Sequence, residues 1–303
     1  MPACAQDYPL KTINIVVPAA AGGGLDRVAR LLADKFRAKW GQPVVVENRA
    51  GAAGIIGSEY VAKAAPDGYT ILFAATGQLV INKSLYAKLN FDPDLFVPVS
   101  LVTAAPNVLV VHPKVAAETV QQLIAYARAN PDKLSYASQG TGTTQHLSPE
   151  LLKAITGINM VHVPYKGGAP ALTDLLGGQV DMMFTEISSL LPHLRAGKLR
   201  ALGVGSEKRN AALPNVPAMS EIVPGFVSMT WQGMVAPAGT QALIANRLSA
   251  ATAEALKQPD LAKLIAEASL DSIGSTPEEL AQFMRQERER WGRVIRAIGA
   301  KAE

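Results

Sequence analysis

The sequence predicts an α/β protein of two parallel-sheet-based lobes, the first interrupted by the second. Three observations carry this. Up to Gln78, a buried strand ending in small residues and opening toward a helix occurs three times. The same grammar resumes after Asn107, and a long amphipathic helix closes the chain. With 303 residues and 49% hydrophobic content, the chain is large enough for two cores of ordinary size.

Residues 13–18 (Ile-Asn-Ile-Val-Val-Pro) form a short apolar strand, followed by the tiny residues Ala19, Ala20, Ala21, Gly22, Gly23 and Gly24. From Asp26 a helix carries Val28, Leu31, Leu32 and Phe36 at amphipathic spacing. A strand feeding through glycines into a helix start gathers backbone N–H groups at one point, and those groups favour an anion. Residues 43–47 make a second strand, and Gly51, Gly54 and Gly57 punctuate the turn into a helix ending near Ala65. Pro66-Asp67-Gly68 is a strong turn signal before the strand 69–74, which ends in the loop Ala75, Thr76, Gly77, Gln78.

From Phe91 the chain changes character. Residues 91–95 read as a loop, 97–104 head toward a new strand at 107–111, and the first crossing between lobes falls at 103–107. The second lobe continues with a helix at 118–129, a strand at 134–137 and the loop Ser138, Gln139, Gly140, Thr141, Gly142, Thr143, Thr144, which enters a helix through Leu152. The strand 160–163 runs into Pro164, Tyr165, Lys166, Gly167 and Gly168 and a helix from Ala169; strands at 180–184 and 199–204 flank a short helix at 188–194. The return crossing lies in 225–235, with Trp231, and helices follow at 241–257, 261–266 and 277–298. Thr276, Pro277 and Glu279 form a capping box for the last one, whose stripe is Leu280, Phe283, Trp291, Val294 and Ile298. That helix must dock, and the first lobe is the natural place. The expected organisation is therefore domain 1 beginning at 7–104, domain 2 at 105–226, and 227–303 as the return crossing and the helices packing on domain 1. Two strands would join the lobes, as in a binder that closes on a hinge.

Composition excludes several classes. The net charge of +4 arises from 29 basic and 25 acidic residues without a basic cluster, so no nucleic-acid partner is expected. One cysteine, Cys4, gives neither a disulfide framework nor a cysteine metal site. No run of apolar residues is long enough to span a membrane. Ala3-Cys4-Ala5 fits the small-x-small pattern of a signal-peptidase site, so the start reads as the stub of an export signal trimmed before about Gln6.

The loops offer donors rather than chemistry. The first has no Gly-Lys-Ser/Thr ending and no G-x-G-x-x-G, so it is neither a P-loop nor a dinucleotide fingerprint. Thr76, Gln78, Ser138, Gln139, Thr141, Thr143 and Thr144 are nearly uncharged donors, suited either to holding a carboxylate or to capping their own turns. Lys166 is a loop-tip cation facing either an acid or solvent, and Trp231 is either a packing anchor or an aromatic wall. Among the four histidines, His112, His146, His162 and His193, no pair has metal-binding spacing, and no Gly-x-Ser-x-Gly elbow occurs. His146 is the nearest approach to a general base beside the loops. Glu186 is either paired within its own lobe or turned toward them. No catalytic group, metal or cofactor is expected.

These residues resemble a known family, the periplasmic solute-binding proteins of the tripartite tricarboxylate transporters, or Bug receptors. The matching stretches are Tyr8-Pro9, Ile15-Val16-Val17-Pro18, Gly23-Gly24-x-Asp26 with Ala29-Arg30, and Gly41 through Arg49. Gly51, Gly54 with Ile56-Gly57, and Pro66-Asp67-Gly68-Tyr69-Thr70 follow. Tyr136 to Gly142 with Thr144, His146-Leu147, Val163 to Gly167, Pro170-Ala171, Asp174 to Gly178, Val180-Asp181 and Phe184 complete the series. The resemblance implies the type II periplasmic binding protein fold, with two lobes on a two-strand hinge. It also implies a receptor in the periplasm of a Gram-negative bacterium that delivers a small organic mono- or dicarboxylate, aliphatic or aromatic, to membrane permease subunits. The protein itself is expected to be a monomer. The loops that the resemblance points to make the expected ligand residues Ala20, Ala21, Gly22, Gly23, Gly24, Leu25, Asp26, Thr76, Gln78, Ser138, Gln139, Thr141, Gly142, Thr143, Thr144, Tyr165, Lys166 and Gly167, and Trp231 joins them from its own place near the return crossing. In the family, ordered waters bridge one carboxylate to the first loops, and Asp26 would shape that loop here. Leu25 stands where a hydroxyl residue is usual, and Ala19-Ala20-Ala21 where proline-rich versions are common, so one polar contact is expected to be gone and the pocket floor to be more apolar. Leu25 and Trp231 tilt the cargo toward a less polar, aromatic body. Ser148-Pro149 departs from the small or polar run usual after the His-Leu pair. A ligand-loaded sensor, or an enzyme on the same scaffold, are the alternative readings. Replacing Thr76 or Thr141 by Val is expected to weaken carboxylate binding with little change in stability.

Overall fold

Ile13, Ile15, Val16 and Val17 are all fully buried, the pattern of a strand covered on both faces, and they form β1 (Ile13–Val17). The computed structural model describes residues 8–302. It divides into two units: the chain up to Ala104 with Trp231–Arg290, and Ala105–Thr230 with Trp291–Ala302. The expected export-signal stub and Cys4 lie outside the described residues.

In the first unit, β1 pairs in parallel with β2 (Val44–Asn48) and β3 (Thr70–Ala75). Beyond β3 lie β9 (Met229–Ala236), antiparallel to it, and then β4 (Val97–Val111), which also takes the short β10 (Asp271–Ser272). Helix α1 (Gly24–Trp40) buries Val28, Leu32 and Phe36 in a core shared with Leu248 and Ala251 of α8 (Ala242–Leu256) and Leu261 of α9 (Pro259–Glu267). Gly41, in the left-handed region at φ 65°, ends α1 and donates its N–H to the Arg37 carbonyl. Short helices α2 (Ile55–Ala62) and α3 (Asn82–Leu85) follow β2 and β3.

In the second unit, β5 (Ser135–Ser138) lies between parallel neighbours β6 (Val161–Pro164) and β7 (Met182–Glu186). Strand β4 is antiparallel to both β7 and β8 (Arg200–Val204). Helices α4 (Val120–Ala129), α5 (Thr144–Thr156), α6 (Gly168–Leu176) and α7 (Ile187–Arg195) alternate with these strands. Met183 packs in this unit's core with Val108, Val110, Leu175 and Leu190.

Several expectations change. The stretch around 103–107 is not a break between strands: β4 runs continuously for 15 residues. Each sheet is mixed, because the two strands that pass between units run antiparallel to the βαβ strands. The loop after β3 enters a π-helical turn at Gly77–Ile81, and α1 begins at Gly24 rather than Asp26. The capping box at α10 (Pro277–Ile298) is present: Thr276 accepts from Glu279 N at 3.2 Å, and Glu279 accepts from Thr276 N at 2.8 Å. The end of α10, from Trp291 on, groups with the second unit. Trp231 takes the packing role. It is fully buried, its indole N–H donates to Glu287 at 3.0 Å, and its ring meets Phe283 edge-on at 5.2 Å.

Glycine is demanded where backbones touch. A Cβ on Gly205 would lie 2.2 Å from the Ser228 carbonyl oxygen and 2.8 Å from that of Asn107, whereas one on Gly24 would meet nothing within 4 Å. Gly205→Ala should therefore cost about 1–3 kcal/mol in urea unfolding, as overpacking does. Gly24→Ala should leave the midpoint unchanged or raise it.

Candidate functional site

The first unit presents two turns at the carboxyl ends of β1 and β3. After β1, Gly22 adopts φ 83°, a left-handed conformation that suits glycine, and Gly23 caps α1 without any side-chain acceptor. The amides of the first turn of α1 thus have no intrahelical partner and no capping oxygen. Asp26 does not cap its own helix; it reaches back. Its carboxylate accepts from Gly22 N at 2.8 Å, from Arg30 Nε at 2.9 Å and from Asn48 Nδ2 at 2.9 Å. Asn48 also donates to the Ala19 carbonyl at 3.2 Å, tying the end of β2 to the turn. Burial alone would raise the Asp26 pKa, but the hydrogen bonds from Arg30, Gly22 and Asn48, with the Arg30 charge, bring it down to about 2. The acid is therefore neutralised from behind, and its charge does not confront an anion at Gly23 and Gly24. Ala20 and Ala21 are exposed, while Leu25 packs against the core.

After β3, both expected donors are committed to the framework. Thr76 Oγ1 accepts from Trp231 N at 3.0 Å and donates to the Trp231 carbonyl at 3.3 Å. Gln78 accepts from Ala75 N at 3.2 Å and donates to the Ala53 carbonyl at 2.9 Å. A Cβ at Gly77 would meet nothing within 4 Å, so the main chain there is approachable.

The second unit repeats the arrangement at the ends of β5, β6 and β7. Thr143 caps α5, accepting from His146 N at 3.3 Å and donating to the Gly140 carbonyl at 2.8 Å. Ser138 Oγ shares a 2.7 Å hydrogen bond with His162 Nε2, and His146 Nδ1 accepts from Gly142 N at 3.2 Å. The two imidazole rings stack at 4.2 Å. Burial, with His162 beside it, pushes the His146 pKa down to about 4, and burial lowers that of His162. His146 thus holds the turn as a neutral ring with its lone pair occupied. Thr144 shares a 2.8 Å bond with Thr230, and Thr141 is exposed. Tyr165 donates to Asp174 at 2.7 Å; burial and that carboxylate push its phenol up to about 12. Lys166 is exposed, and Gly167, at φ 110°, caps α6 without a side-chain acceptor.

A group that the sequence left open joins this cluster. Glu186 accepts from Gln145 Nε2 at 2.8 Å, from Thr185 Oγ1 at 3.2 Å and from Gln139 Nε2 at 3.4 Å. The legible signal was its place at the end of β7, where the other strands carry donor turns. Elsewhere in this unit, a cavity of about 600 Å³ is lined by Glu150, Lys153, His146 and His162, and Thr141 is the expected site residue on its rim. Among the described residues no group of three or more His, Cys, Asp and Glu side chains could hold a metal, and no helix is long and apolar enough to cross a membrane.

Residues 28–300 match the family model for the tripartite tricarboxylate transporter family receptor. Protein BugT of Bordetella pertussis is 38% identical over 304 residues, spanning 99% of this chain and 93% of its own length. The structure of R. palustris Rpa4515 with adipate is similar at a TM-score of 0.80 and 34% identity, over 97% of this chain and 99% of that one. MatC (Rpa3494) from Rhodopseudomonas palustris with bound malate gives 0.77 and 34%, over 95% and 100%.

The folded pKa of Asp26 lies below the ordinary value of 3.8, so its stabilisation is complete above that value and is lost as pH falls toward about 2. That increment is about 2 kcal/mol, and acid titration of Asp26→Asn should lack it. Thr76→Val, contrary to the expectation from sequence, should lower stability by about 1–3 kcal/mol, because it strands the buried Trp231 N–H. Urea unfolding measures both, at neutral pH for Thr76→Val and from neutral pH down toward about 2 for Asp26→Asn beside the wild type.

Proposed function

This chain belongs to the tripartite tricarboxylate transporter receptor family, and we propose that it is a periplasmic receptor for a small organic mono- or dicarboxylate. It captures the acid between its two lobes, closes by motion about the two connecting strands, and delivers the acid to a membrane permease. In this reading it acts as a monomer in a Gram-negative periplasm and transforms nothing.

One observation carries the reading: the start of α1 exposes main-chain amides behind Gly23 with no side-chain cap and with open space at Gly24. Uncapped amides at a helix start favour a carboxylate through both hydrogen bonding and the helix dipole. The uncapped start of α6 at Gly167 and the approachable main chain at Gly77 are of the same kind. Thr141 and Lys166, both exposed, are the side chains left to add contacts, whereas Thr76, Gln78, Thr143 and Tyr165 hold the turns. The adipate and malate in the related structures are acids of the size this chemistry suits.

Thermal denaturation with succinate, malate, adipate and benzoate, each beside its neutral amide, tests the class. At least one acid should raise the melting temperature in a concentration-dependent way while its amide does not. Equal shifts from acid and amide, or none from any acid, would contradict the proposal. Gly24→Ala should weaken binding of the responding acid by about tenfold or more without lowering the melting temperature of the free protein.

A further inference from the structure

We propose that Glu186 selects the cargo: an organic acid that carries a hydroxyl or amino hydrogen-bond donor apart from the carboxylate gripped by the main chain. This rests on the receptor reading above and narrows its ligand class. Glu186 is the last residue of β7 and the N-cap of α7, where a side chain that accepts from the first helical amides would cap the helix. It makes no such cap. Its side chain turns instead to Gln139, Thr185 and Gln145, and in each of those contacts it is the acceptor.

Gln139 sits on the same turn as Ser138, Thr141 and Gly142, the part of the second unit that the receptor reading places against the acid. Among the described residues no Lys, Arg or His forms an ion pair with Glu186. Its surroundings are neutral donors, and three of the roughly four acceptor positions of a carboxylate are taken. The residue remains partly exposed. A second carboxylate brought to this point would meet a like charge, whereas a hydroxyl or ammonium group would complete the acceptor set. Rejection of one chemistry and reward of another at a single position is how specificity is built.

Calorimetry with matched acids reads the effect: succinate against malate and aspartate, glutarate against 2-hydroxyglutarate and glutamate, and butyrate against 3-hydroxybutyrate. For at least one family the donor-bearing acid should bind the wild-type chain about tenfold tighter than its plain parent. In Glu186→Gln, which keeps shape and removes charge, that preference should fall to about threefold or less, with a plain diacid gaining affinity. The ratio is measured within one protein, so a general loss of stability does not mimic it. Plain acids binding as well as their substituted relatives, or an unchanged ratio in Glu186→Gln, would overturn the assignment while leaving the receptor reading intact. Binding of none of these acids would overturn both.

Discussion

The bond network around Asp26 is the constraint on which the candidate site of the first unit depends. A turn made of alanines and glycines has no side chain to fix it, and its conformational entropy would otherwise leave it without a defined shape. Asp26, 2% exposed, reaches back to Gly22 N while Asn48 and Arg30 hold its other lone pairs, so one carboxylate joins the turn, α1 and the end of β2. Because Arg30 pairs with it at 2.9 Å, the acid adds no repulsive charge on the open side of the turn. What the turn then presents is backbone, uncluttered and already oriented.

The second unit reaches the same result with different residues. Thr143 and His146 lock the loop from Gly140 to Gly142, and Ser138 is fixed by His162. Burial keeps both imidazoles neutral in the ordinary range, so this turn too is held without a net charge. In both units the named polar side chains are spent on holding turns, and the amides at helix starts are what remain. That division of labour suits an anion held by preorganised dipoles at the helix starts.

Local signals were legible in the sequence. Strands β1 to β3 announce themselves as short apolar runs, and the capping box at Thr276 and Glu279 needs only four neighbouring residues. Parallel strand-to-helix turns and their glycines were legible for the same reason. What could not be read was commitment at long range. Thr76 and Trp231 are 155 residues apart, Trp231 and Glu287 56 apart, and Gln145 and Glu186 41 apart. A threonine or tryptophan near a predicted loop looks alike whether its partner is a ligand or a distant strand. The continuity of β4 through Pro106 was hidden similarly, because partners distant in sequence hold the strand on either side of it: β10 at Thr103 and Ala104, and β7 from Asn107 on.

Amide-resolved NMR of the uniformly labelled chain, titrated with an acid that raises its melting temperature, is the most direct measurement. The N–H resonances of Gly23, Gly24 and Leu25 should move downfield and saturate together with the thermal shift, as amides do on donating to a carboxylate. If those resonances stay in place while the acid binds and side-chain signals elsewhere respond, recognition by the backbone at the start of α1 is contradicted.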